Sequence, residues 1–143
     1  MNTETGTPSA ATDVDLAEMF REDAAVVRLS PGEVLFKDGD VGRTMYVVLA
    51  GRLTIRSGPV VYEDVDRGGI VGEMAIVESG MPRSAMVLVR TAAELVEIDE
   101  KRFLSLVASN PSFALTVMRV LSRRLRRMDL RYETARSGPA SAV

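Results

Sequence analysis

The sequence predicts a mainly β domain of barrel or jelly-roll type, closed by helices at its C-terminal end. Three observations carry that expectation. Short apolar or alternating runs recur between residues 26 and 99, separated by turn signals. No helix-length segment lies between them, which sets aside a parallel α/β sheet. Beyond residue 99 the apolar spacing becomes helical, on both sides of Asn110-Pro111. A chain of 143 residues is one domain, long enough to bury a real core.

The elements follow in order. Residues 1–12 are small, polar and turn-prone, and read as a disordered leader. Asp13 or Asp15 can cap a short helix through about Asp23, with Leu16, Met19 and Phe20 on one face. Strands are expected at Val26–Leu29, Glu33–Lys37, Thr44–Ala50, Leu53–Arg56, Val60–Val65, Ser84–Arg90 and Glu94–Asp99. Asp38-Gly39-Asp40 reads as a hairpin turn, since two carboxylates without an EF-hand loop do not make a calcium site. Asp99 or Glu100 opens a helix carrying Phe103, Leu104, Leu106 and Val107. Asn110 caps the next, with Pro111 in its first position. That helix is expected to reach about Glu133, and residues 136–143 to be a disordered tail, leaving 13–135 as the folded domain.

Composition narrows the function. The chain has no Cys, no His and no Trp. Thiol nucleophiles, imidazole acid–base chemistry and Cys/His zinc sites are therefore excluded. A carboxylate-only active site survives, but the balance moves toward a binding module rather than an enzyme. No metal site is expected. The formal net charge of −2 conceals a segregation: Arg119 to Arg136 holds seven Arg against Asp129 and Glu133, a net of +5. No signal or membrane helix is visible, so a soluble cytoplasmic protein is the default expectation.

One stretch carries chemistry: residues 70–85, Ile-Val-Gly-Glu-Met-Ala-Ile-Val-Glu-Ser-Gly-Met-Pro-Arg-Ser-Ala. Gly72 allows a sharp turn or close approach to a ligand. Glu73–Val77 can form one helical turn whose N–H groups face an anion. Arg83 supplies a planar donor fork suited to phosphate, Ser84 a hydroxyl, and Ala85 an unobstructed backbone N–H. A carboxylate beside an anion makes sense if a sugar is present: Glu73 accepts from a ribose hydroxyl while Arg83 neutralises the phosphate.

This stretch resembles the phosphate-binding cassette of the cyclic nucleotide-binding domain family, as in cyclic AMP receptor proteins and protein kinase A regulatory subunits. Pro31-Gly32-Glu33-Val34-Leu35-Phe36, Asp38-Gly39-Asp40 and Met45–Gly51 are similar to that family's early strands and turns. The resemblance implies an eight-stranded β-roll with a short N-terminal helix and two C-terminal helices. It also implies no catalysis, a bound cyclic nucleotide, and a C-terminal helix that moves on binding. Carried over, Glu73 binds the ribose 2′-hydroxyl, and Val71, Gly72, Met74 and Ala75 lie along the cassette. Arg83, Ser84 and Ala85 hold the cyclic phosphate. Tyr62 falls where a strand residue lines the base. Met128 and Asp129 fall where the receptors place hydroxyl residues against adenine, a departure: Asp129 can accept from adenine's amino group or from guanine's edge. Ser rather than Thr at position 84 favours cyclic AMP over cyclic GMP.

The last helix carries Ala114, Met118, Leu121, Leu125, Met128 and Tyr132 at spacings of 4, 3, 4, 3 and 4. Ala114, Met118 and Leu121 are expected to pack on the domain's own core. A homodimer through Leu121, Leu125, Met128 and Tyr132 is expected further along. The Arg-rich faces (Arg119, Arg123, Arg124, Arg126, Arg127, Arg131) read as solvated, and nucleic-acid binding is not expected because no helix-turn-helix follows. A stand-alone sensor acting on an unidentified effector protein is the leading reading. The alternative is a ligand-independent dimerisation or interaction module on a degenerate cyclic nucleotide-binding fold.

Overall fold

The structure, a computed structural model, describes residues 14–142 apart from residue 24, with side chains at all of these except 62 and 129–142. The expectations for Tyr62, Asp129 and Tyr132 concern side chains outside the described set, and residues 1–13 lie outside it altogether.

Helix α1 spans Leu16–Met19, and Asp15 caps it by accepting from the amide of Glu18 at 3.1 Å. It is shorter than expected, ending in turns before Asp23. Among the described residues, six antiparallel strands follow: β1 (Val26–Leu29), β2 (Val34–Phe36), β3 (Thr44–Ser57), β4 (Val60–Val65), β5 (Ile70–Val71) and β6 (Met86–Asp99). The sheet runs β1-β6-β3-β4, with β2 also on β6 and β5 also on β3. The two 14-residue strands each absorb two expected runs. They pair from Thr44↔Asp99 to Arg56↔Met86, and the register shifts between Val48 and Leu53. Such bulges bend a strand and increase its twist, so each long strand behaves as two arms. Counted by arms, there are eight strand segments, and the fold is the expected β-roll. Strand β5 was not legible in the sequence, because two residues give no period.

Two clusters fill the roll. One joins Met45, Val47, Ile70, Val96 and Ile98 to Leu16, Phe20, Phe113 and Val117 of the flanking helices. The other, with Val48, Leu53, Ile55, Val71, Val87, Val89 and Leu95, lies between the strands. Helix α2 (Met74–Val77) leaves the sheet after β5. Helix α3 (Glu100–Ser109) is capped by Asp99, whose carboxylate accepts from the amide of Arg102 at 2.8 Å. Helix α4 begins at Pro111 and runs to Ala142.

Two expectations for α4 are corrected. Its backbone stays helical past Glu133 and through 136–142, where a tail was expected; the helix-favouring Leu and Arg run from 121 leads into it, although Gly138 and Pro139 oppose it on propensity. Its core-facing side is Phe113, Thr116 and Val117, continued by half-buried Val120, Leu121 and Arg124. Met118, expected in the core, is 59% exposed. The packed face follows the 3.6-residue period of a surface helix rather than the 3.5-residue seam.

Candidate functional site

The site is built where β5 turns into α2. Gly72 adopts φ +78°, and a Cβ there would stand 2.8 Å from Nη1 of Arg83 and 3.1 Å from the Thr44 carbonyl. Only glycine meets both demands. The turn delivers Glu73 to the first position before α2, with just 5% of its surface exposed.

Arg83 reaches the same place from the other side. Its backbone pairs with the Asp38-Gly39-Asp40 turn: the Arg83 amide donates to the Asp40 carbonyl, and the Gly39 amide donates to the Arg83 carbonyl, both at 2.8 Å. The Asp40 carboxylate accepts from the Lys37 amide at 3.0 Å, closing that turn. The Arg83 guanidinium lies 4.0 Å from the centre of the Phe36 ring and donates through Nη1 to the Gly72 carbonyl at 3.2 Å. Burial lowers its pKa from the usual value, against the opposing pull of Tyr46, Asp40, Glu73 and Glu97.

Two polar atoms here are buried without a protein partner: Oε1 of Glu73 and Nε of Arg83. Buried polar groups are normally satisfied, and an orphaned one costs about 1–3 kcal/mol. One is an acceptor and the other a donor, so the site offers both kinds of polar contact to whatever enters it.

A third residue completes the site. Arg124 of α4 donates through Nη1 to Oε2 of Glu73 at 3.0 Å, through Nε to Oε1 of Glu63 at 2.9 Å, and through Nη2 to the Ile70 carbonyl at 2.8 Å. Its side chain is 11% exposed. The expectation of a solvated Arg124 is therefore corrected. Its position three residues after Leu121 and seven after Val117, on the inward face, was the signal available in the sequence.

Between the cassette and α4 lies a cavity of about 390 Å³, in the range of small-molecule sites. Gly72, Glu73, Met74, Ala75, Arg83, Ser84, Ala85 and Met128 line it. Phe36, Ile55, Leu121 and Leu125 add an apolar wall, and Arg124 a cation beside it, that sequence reasoning missed, apart from assigning Leu121 and Leu125 to a dimer seam. Val71 does not line it: its side chain is fully buried among the inter-strand residues, because β5 pairs with β3 and turns it inward.

The cyclic nucleotide-binding domain family model matches residues 26–110. The chain belongs to the cyclic nucleotide-binding domain family. Within it, the chain is 26% identical over 113 residues to the cAMP-activated global transcriptional regulator CRP of Salmonella typhimurium, covering 76% of this chain and 54% of that protein. It is 29% identical over 145 residues to the cyclic AMP receptor protein of Thermus thermophilus, covering 94% and 65%. This cyclic nucleotide-binding domain thus spans between about half and two thirds of the length of these relatives. Among solved structures, the catabolite activator protein of Thermus thermophilus superposes with TM-score 0.66 at 26% identity, covering 85% of this chain and 57% of that one. The c-di-GMP responsive regulator CLP of Xanthomonas campestris shares the fold with TM-score 0.72 at 24% identity, covering 88% and 64%. Among the described residues, no single helix is long and apolar enough to cross a membrane.

Proposed function

We propose that this domain is a non-catalytic sensor that binds a cyclic nucleotide, cyclic AMP in preference to cyclic GMP, between the cassette and α4. The observation that carries this reading is the pair of orphaned atoms, Glu73 Oε1 and Arg83 Nε. A ribose 2′-hydroxyl donates to the first and a cyclic phosphate oxygen accepts from the second. Ser84 and the amides of Ser84 and Ala85 complete the phosphate shell, and the apolar wall of Ile55, Leu121 and Leu125 receives the base. Because Arg124 joins α4 directly to Glu73, occupation of the cassette is felt by α4. The signal is a population shift of that helix, driven by the ligand's different affinity for its two positions.

Calorimetric titration with cyclic AMP and cyclic GMP tests this. Saturable binding is expected for the wild type, and Arg83→Ala is expected to lose about 1.5–3 kcal/mol of it, the worth of a hydrogen bond to a charged group. Ligand at 100 times its dissociation constant raises stability by about 2.7 kcal/mol. Equal affinity in wild type and Arg83→Ala would sink the site assignment.

A second reading rests on the exposed stripe of α4. Leu115, Met118 and Leu125 are 49%, 59% and 59% exposed. They fit a homodimer through α4, with or without ligand.

A further inference from the structure

We propose that Glu63 is a specificity-determining positioning residue: by holding Arg124 edge-on, it keeps Oε1 of Glu73 open for a ribose hydroxyl. The proposal rests on the cyclic nucleotide reading of the cavity. Glu63 sits on β4 directly across from Ile55 of β3, which lines the cavity, so the two side chains share a face. The Glu63 side chain is 12% exposed and that of Glu73 is 6% exposed.

The geometry assigns each edge of the Arg124 guanidinium. Nε is taken by Glu63 Oε1, which leaves Nη1 for a single oxygen of Glu73 and Nη2 for the Ile70 carbonyl. Arg127 holds the other Glu63 oxygen through Nη1 at 3.3 Å, fixing that carboxylate in turn. An unrestrained guanidinium prefers to grip a carboxylate with two parallel N–H bonds, one to each oxygen. With Glu63 neutralised, the charge-assisted hold on Nε is lost, and only the Ile70 carbonyl opposes a turn of the Arg124 plane that forks Glu73. The second bond then falls on Oε1, the atom now without a partner. Arg124 would become a competitor of the ribose rather than its support. Glu63 therefore sets which groups Glu73 can accept from, without touching ligand.

The test compares cyclic AMP with 2′-deoxy-cyclic AMP, which lacks only the hydroxyl, by calorimetry on the wild-type chain, Glu63→Gln and Glu63→Asp. Wild type is expected to prefer cyclic AMP by about tenfold or more, the scale of one hydrogen bond to a charged acceptor. Glu63→Gln is expected to reduce that preference to about threefold or less, while its affinity for the deoxy compound changes by less than about threefold. A merely structural role would weaken both ligands alike. Glu63→Asp, which keeps the charge but pulls back by one methylene, is expected to fall between the two, and carries the test if Glu63→Gln does not fold. A wild-type preference retained in Glu63→Gln, or in Glu63→Asp where only that variant folds, overturns the proposal while leaving the cavity reading intact. Wild type that binds neither ligand, or binds both equally, removes the cyclic nucleotide or ribose reading itself and the proposal with it.

Discussion

A Cβ on Gly42 would stand 2.2 Å from Nε of Arg83 and 2.4 Å from its Cζ. The backbone beside the cassette is bare where the guanidinium lies over the Phe36 ring. Gly42→Ala is expected to push that guanidinium out of place, because the far end of the Arg83 side chain can yield into the cavity it lines. The fold should survive, since no left-handed backbone is needed at Gly42. A chain that melts close to wild type but binds cyclic AMP about tenfold or more weaker is the expected outcome, read by thermal denaturation beside titration. Unchanged affinity would show that the guanidinium's position is not what binds.

Arg124 compensates two carboxylates buried on different elements. Arg124→Ala removes the cation that pairs with Glu73 and leaves Glu63 paired with Arg127, which is 49% exposed. Breaking a buried pair by removing one partner costs about 3–5 kcal/mol, because the remaining charge stays desolvated. Denaturant unfolding should show a loss of that order. Adding Glu63→Gln to Arg124→Ala is expected to recover part of it, since one of the stranded charges is gone. A loss below about 1 kcal/mol in the single variant would mean that water reaches both carboxylates.

The fold and the cassette were legible for different reasons. Strands β1 and β4 were read at their observed ends because turn residues bound them: Ser30-Pro31-Gly32 after β1, and Gly58-Pro59 before β4. Gly72, Glu73, Arg83 and Ser84 lie within 13 residues of one another, and local spacing is what a sequence displays. Arg124 and Glu63 are 61 residues apart and meet only because α4 folds back across β4. A stretch with seven Arg between 119 and 136 looks uniformly solvated until the core face is fixed by Phe113 and Val117. The apolar wall of the cavity is also drawn from distant elements, β2, β3 and α4, so no single segment announced it.

Asp23 gives a pH dependence of known sign. The Arg102 side chain donates to its carboxylate and holds its pKa below the ordinary carboxylate value; burial opposes this, and the Ala25 amide assists it at 3.1 Å. A carboxylate with a depressed folded pKa contributes stability that is fully present above its unfolded value. That contribution disappears as pH falls through the lower, folded value. The chain should therefore lose stability below about pH 4, and Asp23→Asn should show a shallower acid limb while being less stable at neutral pH. Arg102 also lies 5.2 Å from the centre of the Phe20 ring, so the pair joins the N-terminal helix to α3. Parallel acid limbs in wild type and Asp23→Asn would place the acid-sensitive contact elsewhere.

The exposed stripe of α4 allows assembly and ligand binding to be tested separately. Leu115, Met118, Ser122 and Leu125 recur at spacings of 3, 4 and 3, a seam offset from the face that packs on the core. Leu125 also lines the cavity, whereas Met118 does not. Met118→Glu is therefore expected to dissociate a dimer, as seen by sedimentation, while leaving the intrinsic affinity for cyclic AMP within about threefold. Leu125→Glu is expected to do both: it breaks the seam and places a carboxylate in the apolar wall. If Met118→Glu sediments like wild type, α4 is not the seam. If Met118→Glu also abolishes binding, the partner helix closes the cavity, and the site is completed by two copies.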